Sequence, residues 1–265
     1  MLICSAKTIR AWDQWTIEHE PIPSIDLMER AAGACAAWIS DHLSQATPLS
    51  IFCGPGNNGG DGLALARMLA GMGWQVNTYY VEGFGQASPD NLINQHRLAE
   101  AGIPLMRLDK EDDLPPIREQ WCVDALFGTG LSRAPTGTAA SLIRAINLGA
   151  RGIISIDMPS GLFSDRHSGH HPIIKATHTL SFQCLKPAFL MAENARYAGE
   201  VHVIDIGLSA HFPGLADSGF TWCDQTFVRH LYHPPRPFDH KGTRGHAALL
   251  AGSYGMAGAA ILAAR

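Results

Sequence analysis

A glycine-rich run directly after a short apolar segment is the feature that most limits how this chain can fold. The run reads GPGNNGGDG over residues 54–62 and follows LSIFC at 49–53. Closely spaced glycines let the backbone approach a ligand and turn several N–H groups toward an anion, and a helix that follows adds its positive end. We interpret the run as a nucleotide-binding loop between a buried strand and a helix, which predicts an α/β protein.

The loop departs from the two commonest phosphate-binding patterns. Its glycine spacing satisfies G-x-G-x-x-G, but no Gly-Lys-Ser/Thr follows, so it is not a Walker A motif. The acidic residue that an ordinary Rossmann turn uses to bind ribose is matched only roughly, by Glu82. Asn57, Asn58 and Asp61 add amide and carboxylate groups that such a turn lacks. The plainer alternative is a turn whose asparagines adopt left-handed conformations.

Downstream of this loop, helical and strand patterns alternate, which is typical of βαβ units and a mostly parallel sheet. Two helices precede the alternation. The predicted helices cover 5–18, 24–43, 61–73, 89–101 and 139–148, and the predicted strands cover 49–53, 75–81, 104–108, 121–126, 152–158, 176–182 and 200–206. Ligands of such sheets bind beyond the carboxyl ends of the strands, so loops at those ends are the candidate site.

Two aspartates stand at the ends of apolar strands. Asp124 lies inside VDAL, and Asp157 ends GIISIDM. A carboxylate in an apolar strand is costly unless it is paired or bound to a cation. The loops after Cys53, Leu126 and Met158 are therefore expected to converge on one site. For Asp124 the alternative is a buried carboxylate that caps a loop N–H.

Lys186 and a separate group of three histidines are weaker candidates for site residues. Lys186 follows a predicted strand, where it could balance phosphates or carboxylates, or equally be a solvated loop lysine. His167, His170 and His171 form an H-x-x-H-H pattern in a polar loop. A solvated loop is the favoured interpretation, and a metal site is the alternative.

Composition excludes several classes of protein. Net charge is −4, from 24 acidic and 20 basic residues, without the basic stripe of a nucleic-acid binder. The six cysteines are scattered, and none forms a C-x-x-C pair, which favours buried free thiols in a reducing compartment such as the cytoplasm. The first residues, MLICSAKTIRAW, lack the apolar core of a signal peptide.

The C-terminal part follows a different pattern. Residues 226–240 are rich in proline and predict a linker. The apolar stretch Ala247–Ala264 is interrupted by glycines, so a strand, a glycine-rich turn and the start of a helix explain it better than a membrane span. Because no further strands or helices follow with which this strand and helix could pack, we expect the chain to be the N-terminal part of a longer protein.

Taken together, the motifs resemble those of the NAD(P)HX epimerases. They are GPGNNGGDGL (54–63), VDALFGTGL (123–131), DMPSGL (157–162) and LKPA (185–188), in the order of the family. The tail at 240–260 resembles the opening of the ADP- or ATP-dependent NAD(P)HX dehydratase domain, which has a ribokinase-like fold. In many bacteria the two domains form one bifunctional NAD(P)H-hydrate repair enzyme.

The resemblance implies a three-layer, Rossmann-like α/β fold with a mostly parallel sheet. It divides the chain into an epimerase domain (1–225), a linker (226–240) and the start of a truncated dehydratase domain (241–265). It implies an isomerase that interconverts the R and S forms of NADH or NADPH hydrated at nicotinamide C6, and a full-length protein that is also a lyase. It further implies a small-molecule substrate, no nucleic-acid or membrane partner, and a homodimer or higher homo-oligomer.

The resemblance also implies a set of site residues and a potassium ion. The residues matched to potassium ligands are Asn58, Asp124 and Ser160. The candidate substrate-binding residues are Asn57, Asn58, Gly59, Gly60, Asp61, Gly128, Thr129, Gly130, Leu131, Ser132, Arg133, Ala134, Asp157 and Lys186. The chain has LKPA where many relatives have Lys-Pro-Gly.

The chemistry of such a substrate suggests catalytic residues. Acid-assisted loss of the C6 hydroxyl leaves a cationic iminium, to which water can return from the other face. A carboxylate beside the ring would stabilise the cation and shuttle the proton. Asp157 and Asp124 are the catalytic candidates, and Asp157 is the favoured shuttle. Two rival functions are an NAD-dependent oxidoreductase, and a non-catalytic binding or dimerisation module.

Overall fold

The computed structural model describes residues 2–83, 85–118, 120–217, 220, 222–240 and 242–264. The chain divides into two compact units, Met1–Trp222 and Cys223–Arg265. The first unit contains the sheet and the candidate site. The domain boundary expected at residue 225 stays a prediction.

The first unit is built on a parallel sheet. Among the described residues seven strands pair in the order β3-β2-β1-β4-β5-β6-β7, and every pairing is parallel. They are β1 (Leu49–Cys53), β2 (Val76–Val81), β3 (Leu105–Leu108), β4 (Trp121–Ala125), β5 (Gly152–Ile156), β6 (His178–Phe182) and β7 (Glu200–Ile204). The strand order reverses between β1 and β4, which creates the crevice where ligands of such sheets bind.

Helices cover both faces of this sheet, which confirms the α/β, Rossmann-like fold predicted from the sequence. They are α1 (Ala6–His19), α2 (Ser24–His42), α3 (Asn57–Gly71), α4 (Pro89–Glu100), α5 (Gly137–Gly149) and α6 (Ala195–Ala198). Helices α2 and α3 share one core cluster with Ile51 and Val123. Residues of α5 share another with Phe52 and Cys122, whose side chains point to the opposite face. Strand β1 is therefore buried along its whole length.

Helix α3 begins at Asn57, four residues earlier than the sequence pattern predicts. The glycine run is thus a short turn followed by the first turns of the helix, rather than one continuous loop. Asn91 of α4 fastens this turn, since its buried side-chain amide donates to the carbonyls of Gly54 and Gly56 at 2.9 and 3.0 Å. The predicted start of α3 is too late because glycine has a low helix propensity, which close packing outweighs here.

The second unit contains two short helices among its described residues, α7 (Gln225–Leu231) and α8 (Gly258–Ala264). Helix α7 lies within the predicted linker, and Asp224 caps it by accepting from the Phe227 N–H at 2.8 Å. The strand predicted in the Ala247–Ala264 stretch is wrong, because the described residues of this unit form no strand. A strand requires a partner for its backbone groups. No helix in the described parts of the chain is long and apolar enough to cross a membrane.

Candidate nucleotide-binding site

A cavity of about 430 Å³ opens at the carboxyl ends of β1, β4 and β5. This volume is in the range of small-molecule sites. Ten of the predicted substrate-binding residues line it: Asn57, Asn58, Asp61, Gly128, Thr129, Gly130, Leu131, Ser132, Arg133 and Asp157. The three strand-end loops therefore meet, as the alternation of strands and helices predicts.

A buried ion pair supports one wall of the cavity. The Asp157 carboxylate lies 2.6 Å from the Lys186 ammonium, and its other oxygen accepts from the Thr129 N–H at 3.1 Å. Lys186 is fully buried and also donates to Ser181 Oγ and to the Phe182 carbonyl. The solvated-loop interpretation of Lys186 is therefore wrong. The lysine fixes the carboxylate from behind, while the carboxylate lines the cavity.

The backbone at Asp157 turns sharply into the site. Its φ is +64°, in the left-handed region that aspartate tolerates better than most residues. This turn ends β5 and presents the carboxylate to the loop after β4. Gly128 fits there because a Cβ would lie 2.9 Å from the Asp157 carboxylate and 3.2 Å from Asn58 Cγ. The glycine thus allows the three segments to approach one another.

Asp124 holds the loops together beneath the cavity. It is fully buried and accepts from Ser155 Oγ at 2.8 Å, from the Ser160 N–H and hydroxyl, and from the Leu126 N–H. Burial raises its pKa, and the hydrogen bonds from Ser160, Ser155 and Leu126 oppose that rise. Asp124 is outside the cavity lining. Its oxygens face protein donors, and a direct catalytic role for Asp124 stays a prediction.

Asn58 carries buried polar atoms that the described residues leave without a partner. Both its amide nitrogen and its amide oxygen are buried and unbonded within the described parts of the chain. A buried amide in this condition is costly unless something else satisfies it. The three residues matched to potassium ligands offer oxygen atoms, which alkali and alkaline-earth cations prefer. The unpartnered Asn58 oxygen fits a monovalent cation, whereas Asp124 already accepts four protein hydrogen bonds, so its share in binding the ion stays a prediction.

Four predicted substrate-binding residues lie outside the cavity lining: Gly59, Gly60, Ala134 and Lys186. Gly59 and Gly60 are packing positions, since a Cβ on Gly59 would meet the Gly54 backbone and one on Gly60 would meet the Met28 side chain. Lys186 acts through Asp157. Substrate binding by these four residues stays a prediction, and the two glycines pack the helix against the turn.

A further carboxylate in the cavity was not predicted from the sequence. Asp13 of α1 lines the cavity together with Arg10. Burial and, to a smaller extent, the charge of Asp157 raise the pKa of Asp13 to about 7, against the opposing charge of Lys186. The sequence does indicate that Asp13 faces the protein interior. It lies one helical turn after Ile9 and one before Ile17, on the apolar side of an amphipathic helix.

Asp61 is the third carboxylate of the cavity. Burial raises its pKa well above the ordinary range, and the charges of Asp157, Asp13 and Asp90 add to that effect. Three carboxyl groups thus face a single cavity.

The histidine cluster of the sequence pattern is dispersed. His171 donates to the Gly161 carbonyl at 2.7 Å, while His167 lies 3.9 Å from Glu193. The residues that the structure describes place His170 in no metal-binding group. The favoured solvated-loop interpretation and the metal-site alternative both stay predictions. Five of the six cysteines are buried free thiols, as expected, whereas Cys223 is exposed.

The fold and the site together define an α/β protein of the Rossmann-like class with a candidate small-molecule site at the carboxyl ends of its strands. The sequence pattern described as "YjeF-related protein N-terminus" matches residues 24–188. The chain belongs to this family, and the resemblance seen in the motifs is confirmed.

Several curated proteins are similar over most of this chain. An NAD(P)H-hydrate epimerase of Limosilactobacillus fermentum is 34% identical over 204 residues, 76% of this chain and 95% of that protein. A bifunctional NAD(P)H-hydrate repair enzyme of Thermofilum pendens is 33% identical over 275 residues, 100% of this chain and 51% of that protein. This chain thus spans about half the length of the bifunctional relatives. The crystal structure of the yeast protein YNL200c has a TM-score of 0.62 at 21% identity, covering 85% of this chain and 98% of that one, which supports the fold.

Proposed function

We propose that this chain is an NAD(P)H-hydrate epimerase, which interconverts the R and S hydrates of NADH and NADPH. The observation that carries the proposal is a cavity lined by three carboxyl groups, with Asp13, Asp61 and Asp157 around one space at the strand ends. A site that must stabilise a cationic intermediate benefits from fixed negative charge, which Asp157 supplies. The relatives named as epimerases support the same activity.

The reaction can be divided between two of these carboxyl groups. Asp13 in its acid form gives a proton to the C6 hydroxyl, the C6–O bond breaks to release water, and the N1 lone pair forms the N1=C6 iminium. Water then adds to the opposite face of C6, and its proton returns to the Asp13 carboxylate. Asp157, held by Lys186 and Thr129, stabilises the cation between these steps.

This assignment revises the shuttle role first given to Asp157. A proton shuttle works best with a pKa near the working pH, which Asp13 has. Asp157 already has one oxygen on an ammonium group and the other on a backbone N–H. A fixed carboxylate suits charge stabilisation better than repeated protonation.

The pH profile of epimerisation tests the role of Asp13. Because only the protonated form can start the reaction, kcat/KM is expected to fall about tenfold per pH unit above roughly pH 7. Asp13→Asn is expected to lower the rate and to remove this fall in kcat/KM, the alkaline limb of the pH profile. Asp61→Asn is the control, since Asp61 faces the same cavity and its variant should keep the limb. A limb near pH 7 that survives in Asp13→Asn would overturn the assignment.

A coupled assay tests the activity itself. R-NADHX is supplied with a dehydratase specific for the S form, and the return of NADH absorbance is followed with and without this protein. We expect the protein to accelerate the return beyond spontaneous epimerisation. A rate equal to the uncatalysed one would reject the proposal.

The oxidoreductase alternative is disfavoured by one further contact. Glu82, the only rough match to a ribose-binding acid in the sequence pattern, is paired with Arg107 at 2.6 Å and is outside the cavity lining. An oxidoreductase would change NADH absorbance with a second substrate and no dehydratase, whereas an epimerase alone would not.

We propose that Asn58, Asp124 and Ser160 hold a potassium ion, whose charge would stabilise the buried Asp124 carboxylate and the loops around it. At ten times its dissociation constant a bound ion stabilises the fold by about 1.4 kcal/mol. The Tm is therefore expected to be roughly 3–6 °C higher in potassium than in lithium buffer. Asn58→Ala should reduce this difference, and Asn77→Ala, at an exposed position of β2, should keep it. Equal Tm values in both buffers for the unmodified protein would contradict the proposal.

Three further properties are proposals at the level of the whole protein. We propose that a longer protein containing this chain is also an ADP- or ATP-dependent (S)-NAD(P)HX dehydratase; the relatives that are matched over about half their length are named bifunctional NAD(P)H-hydrate repair enzymes. A cytoplasmic location is consistent with the buried free thiols. A homodimer or higher oligomer is testable by light scattering.

A further inference from the structure

A second cluster of ligand-type side chains lies at the amino ends of β6 and β7, whereas the cavity lies at the carboxyl ends of central strands. His178 opens β6, and Glu200 and His202 belong to β7. His178 Nδ1 lies 3.2 Å from His202 Nε2 and 3.7 Å from Glu200 Oε2, and His202 Nε2 lies 3.8 Å from the same oxygen. None of these groups takes part in the proposed epimerisation.

The sheet itself fixes this arrangement. His178 and Glu200 are register partners in the parallel β6–β7 pair. His202 follows Glu200 by two residues, so the two side chains leave the strand on the same face. Ligands carried by adjacent strands need little reorganisation to converge on an ion, which lowers the cost of binding.

The separations match one tetrahedral ion. Zinc binds imidazole nitrogen and carboxylate oxygen at about 2.0–2.2 Å, so two ligand atoms on one tetrahedron lie roughly 3.3–3.6 Å apart. The observed 3.2, 3.7 and 3.8 Å fall close to that range. A metal ion between these atoms would require shifts of only a few tenths of an ångström.

A third histidine lies beside the cluster. His42 lies alongside, with its ring 6.0 Å from that of His202. The Nδ1 atom of His42 hydrogen-bonds to the Trp38 carbonyl, so its Nε2 atom is the nitrogen that could serve as a further metal ligand.

We propose that His178, Glu200 and His202 form a binding site for a transition-metal ion of the zinc type, with a fourth position taken by His42 or water. Two histidines and one glutamate are a known zinc donor set. The ion would join β6 to β7, the edge strand of the sheet, and would stabilise that edge. The competing interpretation is a hydrogen-bonded His–His–Glu cluster that binds no ion.

Zinc titration of the metal-free full chain by calorimetry tests the proposal. We expect one zinc ion per chain, and a loss of affinity of at least about 100-fold in His202→Ala, because even outer-shell changes cost 10–100-fold. Glu200→Gln changes a largely exposed side chain, so it keeps the fold while weakening binding. The control is His167→Ala, which removes a histidine from another His–Glu pair and should leave zinc affinity unchanged.

Tryptophan fluorescence gives a second, local readout. The Trp38 ring lies 5.2 Å from that of His178 and 4.8 Å from that of His202. Cobalt at the site should quench part of the emission, and this quenching should disappear in His202→Ala. Zinc affinity and cobalt quenching that are the same in Glu200→Gln, His202→Ala and the unmodified protein would overturn the proposal.

Discussion

Asp157→Asn is expected to lower the epimerisation rate by roughly 10²–10³-fold, the size of effect seen when one preorganised electrostatic group is removed from an active site. The asparagine keeps the shape of the side chain but removes the charge that faces the cavity. It also leaves the buried Lys186 ammonium without its carboxylate, which costs on the order of 3–5 kcal/mol of folding stability. Rate and Tm must therefore be measured together.

A second variant separates the catalytic effect from the structural one. Asp157→Asn combined with Lys186→Met removes both charges of the pair, and replacing a buried ion pair by neutral groups often costs little stability. The double variant is expected to regain most of the lost Tm and to stay inactive. Asp41→Asn, at an exposed position of α2, serves as a matched control for both measurements. Near-native epimerisation in Asp157→Asn would remove this residue from the mechanism.

The sequence predicts those parts of the molecule that depend on local pattern. Strand β1 is recognisable because it is apolar along its whole length, and helix α1 because Ser5 caps it by accepting from the Thr8 N–H. The meeting of the three strand-end loops follows from the parallel topology. Such features need no knowledge of which distant residues come into contact.

Other parts depend on contacts that no local pattern encodes. Lys186 is ambiguous in sequence, because only the folded chain brings Asp157, Ser181 and the Phe182 carbonyl around its ammonium group. Asp13 is 144 residues from Asp157 in the chain, so its raised pKa depends on tertiary structure. The start of α3 was placed too late because glycine is a poor helix former unless packing requires it.

The packing of α3 against the turn gives the largest expected effect on stability. A Cβ on Gly59 would lie 1.7 Å from the Gly54 carbonyl oxygen and 2.6–2.7 Å from other Gly54 backbone atoms, none of which can rotate away. Gly59→Ala is therefore expected to cost about 3 kcal/mol or more, the upper end for an overpacked core. That corresponds to a fall in Tm of roughly 6–12 °C for a unit of this size.

Gly71→Ala, at the other end of the same helix with open space around the new methyl, should be neutral or stabilising by up to about 1 kcal/mol. Thermal unfolding of the two variants side by side separates close packing from helix propensity. If both variants melt at the same temperature, the glycines of the run are there for backbone flexibility alone, and α3 does not depend on contact with the Gly54 backbone.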